Sequence, residues 1–179
     1  MVFANDAWNG TGEIVVYSNY HKYWLDRERK IKNPLFDVYS GKILDLKDGK
    51  PSAIDYFYRL LDAEINEGVS ICVVPSSNAE KKKTGITMLG EKLAENRRVN
   101  KVYYLNRKYS IDKLALGGKR TQQVHMKSIN TVEEMEISGD IVLLMDDVTT
   151  TGNSLYACRQ ILLDKGAEVV EMFALGKAI

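Results

Sequence analysis

The sequence is poor in the residues that build metal centres and disulfide frameworks. Its 179 residues include two cysteines, two histidines and three prolines, and no Cys/His spacing resembles a metal site. Cys72 and Cys158 both lie in apolar surroundings, so we interpret them as reduced core residues rather than as a disulfide or a catalytic thiol. The composition therefore disfavours a disulfide-stapled or zinc-dependent protein.

The chain also lacks a strong charge of either sign and a long hydrophobic run. Its formal net charge is +1, so no global basic field favours nucleic acid or an anionic membrane. No apolar run approaches the length of a membrane span, and the first residues, MVFANDAWNGTGE, lack the pattern of a signal peptide. We expect one cytoplasmic domain over residues 1–179, with no membrane partner and no nucleic-acid partner.

Two nearly continuous apolar runs, at 69–75 and 140–148, predict buried strands of a parallel sheet covered on both faces. Further strand patterns occupy 101–106 and 167–175. Helical patterns occupy 52–68, 84–98 and 153–166. In the first helical pattern, Ser52 and Asp55 stand at capping-box spacing. The alternation of strands and helices predicts an α/β fold with helices on the faces of the sheet.

Two segments depart from this alternation. Residues 1–50 mix polar turns with short strand-like pieces at 13–18, 34–40 and 42–46. Residues 107–130 are polar and contain a glycine pair, and a connection of that length in a compact domain is usually functional or mobile.

The stretch MDDVTTTGNSL, residues 145–155, indicates a binding site at the end of a buried strand. Ionised Asp146 and Asp147 can accept hydrogen bonds from a vicinal diol, and the N-terminus of the following helix favours phosphate. Hydroxyl donors and Gly152, which permits close backbone approach, follow the acidic pair. A diol clamp beside a phosphate cradle matches a ribose 5-phosphate. The alternative is a simple helix cap, which needs only one such residue.

The same stretch carries a family resemblance. IVLLMDDVTTTGNSL (141–155) resembles the phosphoribosyl-diphosphate (PRPP) motif of type I phosphoribosyltransferases, and VVPSSNAEKKKTG (73–85) resembles their pyrophosphate loop. KRTQQVHMKSIN (119–130) and GAEVVEMFALGKA (166–178) are similar to the C-terminal half of the competence protein F group. This chain lacks the zinc module of that group and has Thr-Gly-Ile-Thr at 84–87 in place of its Arg-Gly-Phe-Asn segment.

The resemblance implies a fold and an activity. The fold is a mainly parallel twisted sheet flanked by helices, with a small N-terminal hood (1–50) on an α/β core (51–179). The activity is Mg²⁺-dependent transfer of the phosphoribosyl group of PRPP to a nitrogenous acceptor, with release of pyrophosphate, in a homodimer. The alternatives are a PRPP- or nucleotide-sensing protein and an accessory factor in competence or DNA uptake on the same fold.

The resemblance also implies residue roles. Asp146 and Asp147 hold the ribose hydroxyls and contact Mg²⁺ indirectly, through PRPP or water. The ribose and 5-phosphate cradle continues through Thr149, Thr150, Thr151, Gly152, Asn153 and Ser154. The pyrophosphate loop comprises Ser76, Ser77, Asn78 and Ala79. The segment 107–130 stands where the family has a mobile loop, and its Lys119 and Arg120 either reach the leaving group as catalytic residues or form an exposed basic turn.

Three further positions have two interpretations or constrain the acceptor. The run Lys81–Lys83 is either a solvated helix start or a group of cations for a bound polyanion. His125 is either a structural residue or a proton shuttle. Thr150 stands where 6-oxopurine phosphoribosyltransferases have an Asp that serves as base, so a hypoxanthine or guanine acceptor is disfavoured.

Overall fold

The two longest apolar runs of the sequence lie side by side in a five-stranded sheet, in a computed structural model that describes residues 1–111 and 121–179. In chain order the strands are β1 (Ile14–Tyr20), β2 (Trp24–Asp26), β3 (Ile31–Lys32), β4 (Ser70–Val73), β5 (Val99–Asn100), β6 (Leu105–Arg107), β7 (Ile129–Thr131), β8 (Ile141–Thr149) and β9 (Val169–Ala178). The helices are α1 (Val38–Lys47), α2 (Pro51–Leu61), α3 (Gly85–Ala94), α4 (Gln122–Ser128) and α5 (Asn153–Asp164).

The main sheet has the order β1-β9-β8-β4-β5, and its neighbouring strands are all parallel. Side chains of β8 alternate between the faces: Leu143 and Met145 pack in one buried cluster with α1, α2 and α3, whereas Val142 and Leu144 pack in a second cluster with α5. The predicted α/β class, a parallel sheet flanked by helices, is therefore confirmed. Within the described ranges, no helix is long and apolar enough to cross a lipid bilayer.

The predicted strands at 69–75, 140–148 and 167–175 are confirmed as β4, β8 and β9, with boundaries that differ by up to three residues. The three predicted helices are confirmed as α2, α3 and α5. Helix α2, however, begins at Pro51 and ends at Leu61, where a 3-10 turn follows. The capping box predicted at its start is wrong, because Lys50 precedes the first residue and makes no side-chain cap. Proline suits this first position, where its missing N–H has no helical partner.

The strand-like pieces predicted at 34–40 and 42–46 are wrong, because residues 38–47 form helix α1. The Asp37 carboxylate accepts a hydrogen bond from the Ser40 amide at 2.7 Å and thereby caps the helix. Ser40, Ile43 and Leu46 share its buried face, a spacing of three residues that suits a helix and not a strand.

The strand predicted at 101–106 is also wrong over most of its length. The side chain of Asn100 accepts a hydrogen bond from the Val102 amide at 3.1 Å, and the Tyr104 amide donates to the Lys101 carbonyl at 2.9 Å. This turn separates β5 from β6, which forms a small antiparallel sheet with β7.

The segment 107–130 is not a continuous loop. Residues 122–128 form α4 and residues 129–131 form β7. Helix α4 begins at a conventional cap, since the Thr121 hydroxyl accepts a hydrogen bond from the Val124 amide at 3.3 Å. Lys119 and Arg120 lie outside the described residues.

The first fifty residues contribute to the main sheet as well as to its periphery. Strand β1 pairs with β9 at the sheet edge, and α1 packs on the same core as α2 and α3. Strands β2 and β3 form a separate antiparallel hairpin. The predicted hood over residues 1–50 stays a prediction.

Gly85 permits a close contact between α1 and α3 and supplies a stability prediction. A Cβ at this position would lie 1.6 Å from the Leu46 carbonyl oxygen, so we expect Gly85→Ala to lower the free energy of unfolding by about 3 kcal/mol or more, since the clash is with backbone. Urea denaturation measures this change. The matched control is Gly41→Ala in α1, whose Cβ would meet only the Phe36 ring at 3.7 Å and should stabilise by about 0.5–1 kcal/mol. Equal effects of the two substitutions would contradict the packing described here.

Candidate functional site

A cavity of about 500 Å³ opens at the carboxyl ends of β4 and β8. The chain leaves β4 through α3 toward β5, and leaves β8 through α5 toward β9 on the opposite side. Such a reversal of direction is where ligands bind in open α/β sheets. The lining residues are Lys47, Val74, Pro75, Ser76, Ser77, Asn78, Lys81, Thr84, Gly85, Ile86, Arg107, His125, Asp146, Asp147, Val148, Thr149, Thr150, Thr151, Gly152, Asn153 and Ser154.

The two carboxylates predicted to hold a diol both line this cavity. Asp146 accepts a hydrogen bond from the Asp147 amide at 2.9 Å and makes a long contact of 3.4 Å with the Ser154 hydroxyl. Burial, and then the neighbouring charge of Asp147, raise the pKa of Asp146 to about 7. The charged form of this partly buried carboxylate is therefore stabilised by any hydrogen-bond donor or cation that enters the cavity.

Lys47 is a site residue that the sequence analysis missed. Its ammonium lies 3.1 Å from Asp147 Oδ1, and the two side chains are 37% and 25% exposed. Burial opposes the charge on Lys47, but the attraction of Asp147 and the hydrogen bond that Lys47 donates to it outweigh this effect, so the pKa of Lys47 lies above its ordinary value. Asp147 Oδ1 also accepts from the Val148 amide at 2.6 Å. These contacts hold Asp147 in one orientation at the cavity.

Lys47 reaches the site because α1 ends there. It is the last residue of α1, and the preceding residue, Leu46, packs its carbonyl against the glycine that opens α3. Lys47 stands about one hundred residues before the acidic pair, so no local pattern could have joined them. The sequence predicts a strand-like piece at 42–46, so it also gives no sign that Lys47 ends a helix.

The segment between β8 and α5 presents backbone and hydroxyl donors to the cavity. Helix α5 begins after Gly152, and in the part of the chain that the structure describes no side chain caps it. Thr149 is 5% exposed, and its hydroxyl has no hydrogen-bond partner among the described residues. A buried donor of this kind is costly unless a water or a ligand satisfies it.

The structure gives Gly152 a packing role that the sequence did not predict. Its φ of +79° lies in the left-handed region, which favours glycine. A Cβ there would meet the Ile14 side chain at 2.4 Å and the Tyr156 ring at 2.9 Å, so the missing side chain makes room for packing. Its predicted role, to permit close approach of a phosphate to the backbone, stays a prediction.

The loop that follows β4 forms the wall opposite the acidic pair. Ser76, Ser77 and Asn78 line the cavity, but Ala79 does not, and its amide donates to the Ser110 hydroxyl at 3.0 Å. The Ser76 hydroxyl accepts from the Asn78 amide at 3.2 Å. Of the three adjacent lysines, Lys81 alone lines this cavity.

Arg107 supports this loop from behind and was not predicted. Its guanidinium donates to the Ser76 carbonyl at 3.1 Å and to the Pro75 carbonyl at 3.2 Å, and its side chain also donates to the Ser128 hydroxyl at 2.5 Å. Arg107 is 8% exposed. An arginine with several fixed partners positions a loop well, because its planar donors are rigid.

His125 lies on α4, is buried and lines the cavity. Its position leaves both interpretations, a structural residue and a proton shuttle, in place. Lys119 and Arg120 fall outside the described residues, so their predicted contact with the leaving group stays a prediction.

The side chains around the cavity suit a cation that is bound mainly through a phosphate-bearing ligand and only partly by the protein. Across the described ranges, no group of three His, Cys, Asp or Glu side chains is arranged to hold a metal ion. Two adjacent carboxylates at a polar cavity nevertheless fit the usual manner of Mg²⁺, which keeps several waters and takes one or two protein carboxylates together with phosphate oxygens.

Comparison with known proteins gives one short sequence match. No family model matches the chain. A segment of 43 residues is 56% identical to orotate phosphoribosyltransferase of Pyrococcus abyssi, and it covers 24% of this chain and 24% of that protein. The match thus spans about a quarter of the relative's length.

Among solved structures, similarity is loose. An orthorhombic crystal form of a hypoxanthine phosphoribosyltransferase from Staphylococcus aureus aligns with a TM-score of 0.40 at 11% identity, and a tetragonal form with 0.41 at 10%. Each alignment covers 76% of this chain and 74% of the other.

The raised pKa of Asp146 predicts how stability depends on pH in the metal-free protein. Between its ordinary pKa of 3.8 and about 7, the native state keeps a proton that the unfolded state loses, so stability falls as pH rises through this window. We expect Asp146→Asn to remove this loss and to stabilise the protein at pH 8 by roughly 2–4 kcal/mol more than at pH 4, since one pKa unit corresponds to about 1.4 kcal/mol. Urea denaturation in EDTA at the two pH values measures the difference.

Asp147→Asn is the matched comparison for this experiment. It removes the ion pair with Lys47 and should therefore destabilise, by about 1 kcal/mol. A stabilising effect of both substitutions at pH 8 would contradict the distinct environments of the two carboxylates.

Proposed function

We propose that this protein is a Mg²⁺-dependent phosphoribosyltransferase, which transfers the phosphoribosyl group of PRPP to a nitrogenous acceptor. One observation carries the proposal: the acidic pair of β8, the uncapped start of α5 and the loop after β4 all open on the same cavity. The motif resemblance and the local identity to an orotate phosphoribosyltransferase support it.

The cavity offers a separate place for each part of PRPP. Asp146 and Asp147 accept the ribose hydroxyls. The start of α5 and the hydroxyls of 149–154 take the 5-phosphate, because amides and the helix dipole favour an anion there. Ser76, Ser77 and Asn78, together with Lys81, face the pyrophosphate. The cavity, at about 500 Å³, lies in the size range of small-molecule sites.

Catalysis in this arrangement consists of positioning and charge stabilisation. The bond between C1 of the ribose and pyrophosphate breaks, and the acceptor nitrogen takes its place. The carboxylates orient the ribose, and Lys81 and the loop donors stabilise the departing anion. Mg²⁺, bound with PRPP, supplies neutralisation of pyrophosphate charge. Arg107 acts through the loop carbonyls that it holds.

The lack of an acidic residue at position 150 bears on which acceptor the cavity takes. Thr150 stands beside the ribose site and has no basic group, so a nucleophile that needs an Asp base there is disfavoured. Orotate is the first acceptor to test, because the locally similar relative acts on it by name. The competence protein F-like subgroup, a cytoplasmic location and a homodimer stay predictions that accompany this proposal.

A thermal-shift experiment tests PRPP binding. Mg²⁺ with PRPP at 100 times its dissociation constant should stabilise the protein by about 2.7 kcal/mol and raise the melting temperature. The double variant Asp146→Asn/Asp147→Asn should lose the shift, because the ribose hydroxyls lose their charged acceptors. The shift, and not the melting temperature itself, is compared, since the substitutions change the stability of the unliganded protein.

The matched control replaces another adjacent acidic pair, Glu133→Gln/Glu134→Gln, which is exposed and lies outside the cavity. It should keep the shift of the wild type. A full shift in the Asp146/Asp147 variant would sink the diol-clamp assignment.

Pyrophosphate release tests turnover. In the presence of Mg²⁺ and PRPP, a screen of orotate, other bases and small amines should reveal an acceptor that raises pyrophosphate release at least about 100-fold over the rate without acceptor. Loss of that rate in the double variant would place the reaction in this cavity. A protein that binds PRPP but releases no pyrophosphate with any acceptor would be a sensing protein on the same fold.

A further inference from the structure

A second cavity, of about 510 Å³, lies on the far side of the loop after β4. Strand β5 pairs only with Ser70 and Ile71 of β4, so in the described chain no strand covers the outer edge of β4 beyond Ile71. The turn after β5 carries the chain away from this edge. The space left between the turn, β6 and the loop is this cavity.

The walls of the second cavity are apolar and its charged groups have one sign. Its lining residues are Val73, Pro75, Ser76, Asn78, Ala79, Lys81, Lys82, Lys83, Thr87, Val102, Tyr103, Leu105, Asn106, Arg107 and Val132. Four of these described residues are cations and none is a carboxylate, although the whole chain has a net charge of only +1. The asymmetry is therefore local to this surface.

The three adjacent lysines carry like charges at the rim of this cavity. Lys81, Lys82 and Lys83 are exposed, and among described residues none of them forms an ion pair. They also precede the N-terminus of α3, where the helix dipole disfavours cations. Mutual repulsion and an adverse dipole are relieved when an anion binds among them.

We propose that the second cavity binds an amphipathic anion, with an apolar or aromatic body against the partly exposed Pro75, Tyr103 and Val132 and an anionic group at Lys82 and Lys83. The apolar walls exclude a bare inorganic anion as the preferred ligand, and the lysines exclude a neutral one. The cavity volume of about 510 Å³ lies in the range of small-molecule binding sites.

The second site is linked to the first through their common wall. Both cavities are lined by Pro75, Ser76, Asn78, Lys81 and Arg107. Both ligands are anions on either side of the same loop, so their charges repel each other, and occupation of one site weakens binding at the other. By linkage, the weakening is the same in both directions.

The probe for this site is anilinonaphthalene sulfonate (ANS), an aromatic anion whose fluorescence rises on binding. In the absence of PRPP we expect a single ANS per chain by calorimetry and fluorescence. Lys82→Gln/Lys83→Gln should weaken binding about five-fold or more, given up to about 1 kcal/mol for each cation. The control Lys127→Gln/Lys165→Gln makes the same charge change at exposed lysines outside both cavities and should change the affinity by less than about two-fold.

A second variant tests the apolar part of the site. Asn106 lines only the second cavity, and Asn106→Trp should fill it and abolish the bound ANS while leaving the Mg²⁺-PRPP thermal shift. Equal affinity of the wild type and the Lys82/Lys83 variant, or several ANS molecules per chain, would overturn the proposal. Sedimentation of the ANS complex provides a further test. If ANS binds to the monomer and not to a dimer of this chain, the cavity is a dimer interface and not a ligand site, and the proposal is overturned.

The linkage is tested by titrating ANS at increasing Mg²⁺-PRPP. The dissociation constant of ANS should rise and then level off, at about five times or more its value without PRPP. A rise without limit would place ANS in the first cavity, and no change, in a protein whose thermal shift shows PRPP binding, would overturn the link. The ANS titrations without PRPP stand whether or not the first cavity binds PRPP, so failure of the two proposals can be told apart.

Discussion

The parallel pairing of β4 with β8 is the constraint on which the candidate site depends. Val73 lies opposite Met145, and the Val74 amide donates to the Met145 carbonyl at 2.9 Å. With this register the loop after β4 and the acidic pair of β8 leave the sheet side by side. A slip of one residue would reverse the faces to which the side chains of β8 point, and the carboxylates would no longer share a cavity with the loop. The apolar clusters on both faces oppose such a slip, because each face is buried.

Strong patterns in the sequence predicted the elements that build this pairing. The runs behind β4, β8 and β9 are largely apolar, and the turn residues around them mark their ends, so these strands followed from pattern alone. Weak patterns failed where a local hydrogen bond decided the structure. Asp37 converts a strand-like segment into α1 by capping it, and Asn100 turns the chain in the middle of a β-rich segment. Both residues are ordinary turn formers, and only their contacts show which element they start or stop.

The residues of the candidate site also divide into those that a sequence pattern predicts and those that it does not. Residues within the continuous stretch 146–154 were predictable, since diol and phosphate chemistry needs their types close together. Lys47 and Arg107 were not, because α1 and β6 bring them in from distant parts of the sequence. Their roles also differ from those of the predicted residues: each holds another group in place, through a carboxylate in one case and through loop carbonyls in the other. A residue that acts in this way leaves no local pattern, and only the packing of the chain reveals it.

The charges of the first cavity place a condition on what can bind there. Two adjacent carboxylates repel a polyanion, and Lys47 already compensates Asp147. If the cavity binds PRPP as proposed, the ligand therefore directs hydroxyl groups, and not bare phosphate oxygens, toward Asp146 and Asp147. Its anionic groups must lie at least a few ångströms away, at the start of α5 and along the loop. A phosphorylated pentose separates these groups by its own covalent frame, whereas free phosphate or pyrophosphate does not. Under the proposed function, the acidic pair is a filter as well as a clamp: repulsion disfavours the bare anion, and hydrogen bonds from a diol favour the charged form of the partly buried Asp146 carboxylate.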